Sequence, residues 1–168
     1  MGLDIFFHKC KRDEWDAYQN ELEAYNDNYD PNKDGDEQET EHPNHNFNPE
    51  EIGYFRKVNF LMQEFAYYGN CEYKEITREE LEDLQDKCTR LAIITPHKLS
   101  DPDSEEVEYD DDDIALAQRL LPTCSGFFYG STDYDEWYFS DVKEVLEWVN
   151  GVLDALDDDE VVLMYCWW

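Results

Sequence analysis

Apolar side chains in the first part of the chain follow two patterns, one typical of a strand and one typical of a helix. Residues 3–8 contain three consecutive apolar side chains, which predicts a buried strand. Residues 11–25 carry apolar side chains at spacings of three, four and three. These positions are Trp15, Tyr18, Leu22 and Tyr25. The second pattern predicts a helix with one apolar face, directly after the strand.

Capping signals indicate where the next helix begins and ends. Asn48 can act as an N-cap, with Pro49 at the first helical position and Glu51 three residues after the cap. Gly69 is a suitable stop signal. The residues between these signals are largely apolar, so the sequence predicts a helix to about residue 68 at the centre of the core.

A second capping signal follows a short apolar segment. Residues 71–76 are predicted to form a short strand. Thr77 and Glu80 then form a capping box, which predicts a helix. The apolar positions of that helix are Leu81, Leu84, Cys88 and Leu91. Their spacing places them on one face, which is expected to pack on the core.

Residues 120–142 contain many large side chains in a short space. Pro122 is expected to stop a helix over residues 114–121. Residues 127–129 are predicted to form one strand, and residues 137–139 to begin another. Glycines and polar residues between them predict tight turns, so we expect the chain to be organised around this stretch.

The last part of the chain completes the predicted fold. Ser140 is expected to cap a helix, and residues 161–168 are apolar throughout, which is typical of a central strand. Together the elements predict one α+β domain over residues 1–168. It has a small sheet that includes both chain ends, packed by three to four helices. Residues 26–47 and 99–113 are predicted to be long acidic loops.

The charge of the chain is its most unusual property. Among 168 residues, 43 are acidic and 13 are basic, which gives a net charge of −30, while 41% are hydrophobic. The apolar share is sufficient for a core. The negative charge disfavours binding to nucleic acid or anionic membrane, and it attracts basic protein surfaces and divalent cations. Solubility or salt tolerance is the simpler interpretation of the charge.

Several functional classes lack their sequence signals. Five cysteines without a Cys-x-x-Cys pair indicate a reduced cytoplasmic protein, and the first residues do not resemble a signal peptide. The longest apolar run, residues 161–168, is too short to span a bilayer. Glycine-rich phosphate loops are absent, and Ser125 lies outside a nucleophile elbow. We therefore expect a protein that is not an enzyme.

Three segments form a recognisable set. The chain opens with Met-Gly-Leu-Asp, and residues 54–59 hold Tyr-Phe-Arg-Lys followed by Asn59. Residues 120–136 hold Leu-Leu-Pro-Thr, Gly-Phe-Phe-Tyr-Gly-Ser-Thr and Tyr-Asp-Glu. In these segments the sequence resembles a family of small proteins encoded by phages and prophages. Phe55 and Met62 stand where that family usually has tryptophan and histidine. The resemblance implies a mobile-element origin and action in the cytoplasm of a bacterial host cell.

Residues 30–41 match the ligand pattern of an EF-hand loop, with oxygen ligands at positions 1, 3, 5 and 12 and glycine at position 6. The candidate Ca²⁺ ligands are Asp30, Asn32, Asp34, Asp36 and Glu41. Gly35 stands where the loop turns sharply. Glu37 replaces the usual apolar residue, and Pro43 blocks an immediate exiting helix. A Ca²⁺-binding interaction module is one alternative function, and a solvated loop is the simpler interpretation.

The leading hypothesis combines the charge with the resemblance. Carboxylates can imitate phosphates and capture arginine and lysine side chains of a nucleic-acid-binding host protein. Such a partner could be a CRISPR effector, a restriction enzyme or a transcription protein. Residues 101–113 and 154–160 are expected to supply the negative field. The candidate partner-binding residues are Asp103, Glu105, Glu106, Glu108, Asp110, Asp111, Asp112, Tyr134, Asp135, Glu136 and Trp137.

Residues 134–137 have two interpretations that the sequence leaves open. The aromatic side chains can form a recognition surface, because tyrosine and tryptophan are favoured anchors, or they can fill the core. A third functional hypothesis is a small-ligand binder or enzyme with a pocket near Arg56, Asn59, Tyr134 and Asp135. The oligomeric state is not indicated by any pattern in the sequence.

Overall fold

A computed structural model describes residues 2–29, 42–43, 46–67, 69–98 and 107–168, and it confirms the α+β class. The helices are α1 (Arg12–Asn28), α2 (Phe60–Glu64), α3 (Arg78–Ala92), α4 (Asp111–Leu120) and α5 (Glu136–Ala155). The strands are β1 (Asp4–Lys11), β2 (Glu50–Arg56), β3 (Tyr73–Ile76), β4 (His97–Lys98), β5 (Val107–Glu108) and β6 (Glu160–Trp167). The described part of the chain thus has five helices, where three to four were predicted.

Four strands form one antiparallel sheet in the order β2-β1-β6-β3. β1 and β6 pair along their whole length, from Asp4 opposite Trp167 to Lys11 opposite Glu160. The first and last strands of the chain are therefore the two central strands. The apolar composition of β6 predicted this interior position correctly, because an interior strand is buried on both faces.

The main core lies between one face of the sheet and the helices α3 and α5. Alternate side chains of the central strands enter it, as Ile5 and Phe7 do from β1. α3 and α5 run antiparallel: Arg78 Nη2 donates to the Leu156 carbonyl oxygen at 2.8 Å, while Gln85 Nε2 donates to Asn150 Oδ1 at 2.7 Å. Burying each large apolar side chain contributes about 1.5–3 kcal/mol to the stability of the fold. The packing of these two helices on the sheet therefore stabilises the core.

The opposite face of the sheet carries a smaller, aromatic cluster. Trp15 and Tyr18 of α1 are buried against it, and the Phe47 ring stacks on Tyr18 with centroids 4.3 Å apart. Beyond α1, the rings of Phe6 and Tyr54 lie 5.0 Å apart, and Tyr54 remains exposed. α1 thus covers only part of this face.

An indole closes part of the outer edge of β2. Trp148 Nε1 donates to the Ile52 carbonyl oxygen at 2.8 Å, and its ring centroid lies 4.3 Å from that of Phe7. A Cβ atom on Gly53 would lie 2.4 Å from Trp148 Nε1. Only glycine therefore lets the indole approach the strand this closely.

The predicted helix over residues 49–68 is wrong. Residues 50–56 form β2, and only residues 60–64 form a helix. The reason is tertiary: Tyr54 and Phe55 pair with Phe6 and Ile5 of β1, which places their rings on opposite faces of the sheet. Pairing with a central strand outweighs a local capping signal that is worth about 1 kcal/mol.

The boundaries around residues 127–140 also differ from the prediction. Residues 127–129 form a turn, and residues 137–139 lie in the first turn of α5. Asp135, not Ser140, caps this helix. The acidic loops are shorter than predicted, because α1 continues to Asn28 and residues 111–113 belong to α4. No helix among the described residues is both long enough and apolar enough to cross a membrane.

Candidate functional site

The two segments that carry the family resemblance meet at Asn59. This side chain is 3% exposed, and its amide nitrogen donates to the carbonyl oxygens of Ser131 at 2.8 Å and Tyr129 at 3.2 Å. Its amide oxygen accepts from the Cys124 backbone nitrogen at 3.2 Å. One buried amide therefore holds both ends of the loop between α4 and α5.

Cys124 has a structural position next to this amide. Its Sγ donates to the Asn59 carbonyl oxygen at 3.1 Å, and burial raises the pKa of the thiol. A raised pKa disfavours the thiolate, which is the nucleophilic form of cysteine. The geometry therefore favours a structural role for this half-buried thiol.

Two left-handed residues bring the same segments into direct contact. Lys57 has φ 63° and Gly130 has φ 91°. A Cβ atom on Gly130 would lie 3.1 Å from the Lys57 Cβ. The Lys57 backbone nitrogen also donates to the Leu3 carbonyl oxygen at 2.8 Å. The Leu3 backbone nitrogen in turn donates to the Phe128 carbonyl oxygen at 2.9 Å. The start of the chain, the end of β2 and the 126–130 turn are thus bonded together.

A cavity of about 140 Å³ opens beside this junction. Cations and carboxylates share its wall, together with an indole. The charged and aromatic lining residues are Arg56, Lys57, Phe60, Asp133, Asp135, Trp137, Tyr138 and Asp141. Arg56 Nε lies 3.9 Å from Asp4 Oδ1, while Lys57 has no carboxylate within 4.0 Å in the described ranges. The sequence predicted a pocket near Arg56, Asn59, Tyr134 and Asp135. Arg56, Asn59 and Asp135 line this cavity, whereas Tyr134 is not among its lining residues.

Asp141 is the most perturbed carboxylate of this cavity. Burial raises its pKa to about 6, and the nearby negative charges of Glu144 and Asp135 add to the shift. No cation lies within 4.0 Å of it in the described part of the chain. The local environment therefore destabilises the ionised form of this side chain relative to a carboxylate in water.

The four residues from 134 to 137 have separate roles. The Thr123 backbone nitrogen donates to Tyr134 Oη at 3.0 Å, and the Tyr134 ring packs 4.8 Å from that of Tyr138. Asp135 Oδ1 accepts from the backbone nitrogens of Trp137 at 3.0 Å and Tyr138 at 3.1 Å. Glu136 is exposed, and Trp137 is 77% exposed. Tyr134 thus packs inward, Asp135 caps α5, and Trp137 presents a surface ring.

The acidic residues of the predicted partner-binding set are spread over different environments. Asp103, Glu105 and Glu106 lie outside the described residues. Glu108 lies in β5, while Asp111 and Asp112 lie in the first turn of α4, where the helix dipole favours negative charge.

Acids in both segments that were expected to supply the negative field have basic partners in the structure. Asp110 Oδ2 lies 3.0 Å from His97 Nε2, and this contact raises the pKa of the imidazole. In the 154–160 segment, Lys11 Nζ lies 2.8 Å from Asp159 Oδ1 and 3.6 Å from Asp157 Oδ2. Lys9 Nζ lies 3.4 Å from Glu160 Oε1. Much of the 154–160 segment is therefore neutralised locally.

The predicted Ca²⁺ ligands Asp30, Asn32, Asp34, Asp36 and Glu41 lie outside the described residues. Ca²⁺ binding by this loop stays a prediction. Within the described ranges there is no group of three or more histidine, cysteine or carboxylate side chains that could hold a metal ion.

The sequence reasoning missed the outward carboxylates of α3 and α5. Glu79, Glu82, Glu144, Glu147 and Asp154 are all exposed. None of these five has a basic side chain within 4.0 Å among the described residues. We call this set the acidic helix surface. The inward positions of the two helices were recognised from their periodicity, and the same periodicity implied these outward positions.

Comparison with known proteins adds no relative. No family model, curated protein or solved structure matches this chain.

Proposed function

We propose that the protein is a phage-type, non-enzymatic inhibitor or accessory protein that binds a basic, nucleic-acid-binding protein of a bacterial host cell. The acidic helix surface would make the contact. The observation that supports this proposal is that two adjacent antiparallel helices both present carboxylates without basic partners in the described chain. An arginine or lysine side chain of another protein can provide those partners.

The two helices together carry a net negative charge. The acidic residues of α5 extend from Glu136 to Asp154, about 27 Å at 1.5 Å per residue. α3 and α5 contain ten acidic and four basic residues, a net charge of −6, which is about one negative charge per 4.5 Å of axis, against one per ~1.7 Å in duplex DNA. A groove that binds a phosphate backbone would therefore meet a weaker field of the same sign.

Salt dependence follows from the exposure of these groups. Exposed charges are screened over about 8 Å at 0.15 M salt and over a shorter distance at higher salt. The association is therefore expected to be fast and strongly weakened by salt, as for electrostatically steered complexes. An association that relied on Trp137 and other apolar contacts would resist salt.

A pull-down from bacterial lysate at low salt and at ~0.5 M salt tests the proposal. We expect the wild-type protein to retain a nucleic-acid-binding protein at low salt, and DNA or RNA to compete it off. A variant with Glu79→Gln, Glu82→Gln, Glu144→Gln and Asp154→Asn is expected to lose at least tenfold in retained partner, because four cation contacts are removed.

A matched control changes the same number of charges elsewhere. Four exposed acids of α1 lie on the other face of the sheet: Asp16, Glu21, Glu23 and Asp27. Their replacement by the corresponding amides reduces the net negative charge by the same amount. The quantity of retained partner should stay within about twofold of that for the wild type. If both variants lose the partner to the same extent, general charge is responsible and the proposed surface is wrong.

A small-ligand binder is a second candidate function, which the cavity beside Asn59 favours. Its wall combines the cations Arg56 and Lys57 with carboxylates, a set that complements a zwitterionic metabolite such as an amino acid. A thermal-shift screen with such metabolites should raise the melting temperature of the wild type but not of Arg56→Ala. A flat screen would leave this candidate without support.

A further inference from the structure

A second and larger cavity lies between the outer edge of β2 and α5. Its volume is about 410 Å³, which is within the range of small-molecule sites. The floor is apolar and aromatic, formed by Ile52, Trp148, Val152 and Leu156. The Trp148 indole is fixed in place by its hydrogen bond to the Ile52 carbonyl oxygen at 2.8 Å. The floor is therefore preformed.

Gly151 of α5 lines this cavity. A Cβ atom added to this glycine would meet no heavy atom within 4 Å. Glycine in the middle of a helix is unfavourable by about 1 kcal/mol relative to alanine, and no close contact in the structure requires it here. The absence of a side chain keeps the wall of α5 open at this position.

The charged groups at the mouth have an unequal balance. Lys9 Nζ lies 3.7 Å from Glu50 Oε2 and 3.4 Å from Glu160 Oε1, so its charge is already shared between two carboxylates. Glu51 and Glu147 also line the cavity, and both are exposed. Neither has a cation within 4.0 Å in the described ranges. The mouth therefore has two carboxylates available to a ligand.

We propose that this cavity binds an amphipathic cation, with an aromatic or aliphatic group on the Trp148 floor and an ammonium or guanidinium group at Glu51 and Glu147. An indole is also the best aromatic partner for a cation. This inference does not depend on the proposed function, because the site is defined by its own cavity. The cation can come from a free amine or from a basic side chain of a peptide.

The test uses the full-length ¹⁵N-labelled protein and 2-phenylethylamine as the probe, in ~0.15 M salt to screen general attraction. The indole N–H signal of Trp148, assigned with Trp148→Phe, should shift in a saturable manner. The ligand is small, so we expect a dissociation constant on the order of 1 mM. The neutral analogue 2-phenylethanol should bind at least about fivefold more weakly. Equal binding of the alcohol would overturn the role of the carboxylates.

Paired variants separate the site from the general charge of the chain. Glu147→Gln should weaken amine binding at least about threefold, while Glu23→Gln on α1 makes the same charge change at an exposed position away from the cavity and should have no effect. Gly151→Phe should fill the cavity and abolish the shift. Gly151→Ala, which relieves only the helix penalty, should retain it and raise the melting temperature. Unchanged binding in Glu147→Gln and Gly151→Phe would overturn the proposal.

A second probe distinguishes the source of the cation. The blocked tripeptide acetyl-Gly-Arg-Gly-amide carries a guanidinium group on an aliphatic chain. If it shifts the same indole signal and competes with 2-phenylethylamine, the site accepts a partner's side chain. If only the amine binds, the site is specific for free amines. If neither probe shifts Trp148, the cavity does not bind this class of ligand and the inference is wrong.

Discussion

Two groups of carboxylates in this acidic chain have opposite surroundings. One group lies at the strand end, where β1 ends and β6 begins, and the other is the acidic helix surface. At the strand end, Lys9, Lys11 and Arg12 lie within 4.0 Å of the acids of β3, β6 and the turn before β6. On α3 and α5, five exposed acids have no such partner in the described residues. Three of the 13 basic residues lie at the end of the sheet, while Lys87 and Arg90 of α3 pair with Glu64, Asp83 and Asp86 and leave these five acids unpaired. The net charge of −30 therefore combines one region of paired acids with one set of unpaired acids.

The largest expected effect is at a buried ion pair. If this pair proved dispensable for stability, the contrast between paired and unpaired acids would have no consequence for the fold. Lys87 Nζ lies 2.7 Å from Glu64 Oε1, and the Glu64 side chain is only 7% exposed. Burial raises the pKa of this carboxyl, while Lys87 opposes the shift. Lys87→Ala is expected to lower the free energy of unfolding by about 2–4 kcal/mol at pH 7, because it leaves a buried carboxylate without its cation. Urea denaturation measures the change.

The control for this prediction is on the same helix. Arg90 contacts Asp86 at 3.8 Å in an exposed pair one turn apart. Arg90→Ala should change the free energy of unfolding by less than about 0.5 kcal/mol. A loss in Arg90→Ala as large as in Lys87→Ala would show that burial does not decide the value of a pair here.

A smaller effect is expected at the strand end. Arg12 binds Glu75 through two hydrogen bonds of 2.6 and 2.9 Å, and Trp15 Nε1 donates to the same carboxylate at 2.9 Å. Since both side chains are partly solvated, Glu75→Ala should destabilise the protein by about 1–2 kcal/mol at neutral pH. Glu82→Ala, which removes an unpaired acid, should change stability by less than about 0.5 kcal/mol.

The pH dependence of this loss has a defined sign. The hydrogen bonds from Arg12 lower the pKa of Glu75 below its usual value of 4.5. A lowered pKa contributes stability above the unfolded-state value, and this contribution disappears as the pH falls through the folded-state pKa. The difference between wild type and Glu75→Ala should therefore be constant near pH 7 and shrink below about pH 4.5. A difference that grows on acidification would contradict the pairing.

Asp141 is the opposite case to Glu75, because it is partly buried but has no cation close to it among the described residues. Its pKa is raised from 3.8 to about 6, so the cost of its ionisation to folding develops between about pH 4 and pH 6 and is complete above about pH 6. Asp141→Asn is expected to stabilise the protein by about 1 kcal/mol at pH 7, after allowance for solvent screening. The gain should disappear as the pH falls below about 4, where the wild-type carboxyl is protonated. A destabilised variant at pH 7 would indicate an undetected partner for this carboxylate.

The smallest expected effect concerns the acidic helix surface itself. The four-site amide variant of Glu79, Glu82, Glu144 and Asp154 should unfold within about 1 kcal/mol of the wild type at ~0.5 M salt. At low salt it should be slightly more stable, because repulsion among unpaired charges is weakened. Thermal melts at the two salt concentrations measure this difference. A marked loss of stability at either salt would show that these acids have partners within the protein.

Much of the fold was predictable where local and tertiary preferences agree. The Thr77 capping box begins α3 as predicted, with the Thr77 side chain accepting from the Glu80 backbone nitrogen. The apolar run of β6 predicted its central position. In these elements the same residues satisfy both the local pattern and the core.

Prediction failed where tertiary pairing decided between two local options. The segment after Asn48 has a good helix-start signal, but it pairs with β1 as a strand, and this pairing places the Tyr54 and Phe55 rings on opposite faces of the sheet. The start of α5 was placed too late because three consecutive aromatic residues are typical of a strand. The signal that could have corrected it is Asp135, an N-cap residue followed by apolar side chains with helical spacing.

The candidate site was partly predictable for a similar reason. The resemblance placed Asn59 and the 120–136 segment in one motif set, and the structure joins them through the Asn59 amide. The opposite charge environments of Asp159 and Glu82 were not predictable, because salt bridges depend on which strands become neighbours. Sequence spacing alone does not report contacts across 148 positions, the separation of Lys11 and Asp159.

The indole that closes the edge of β2 has a consequence for how separate molecules meet. An open strand edge can pair with the edge of another molecule and start aggregation. At neutral pH mutual repulsion keeps such acidic molecules apart, but acidification removes that protection. Here the Ile52 carbonyl oxygen is already bonded to Trp148, and the opposite edge strand, β3, has only four residues. One backbone acceptor of β2 is therefore already occupied and the other edge is short, so the sheet offers fewer free backbone groups for intermolecular pairing when its charges are neutralised.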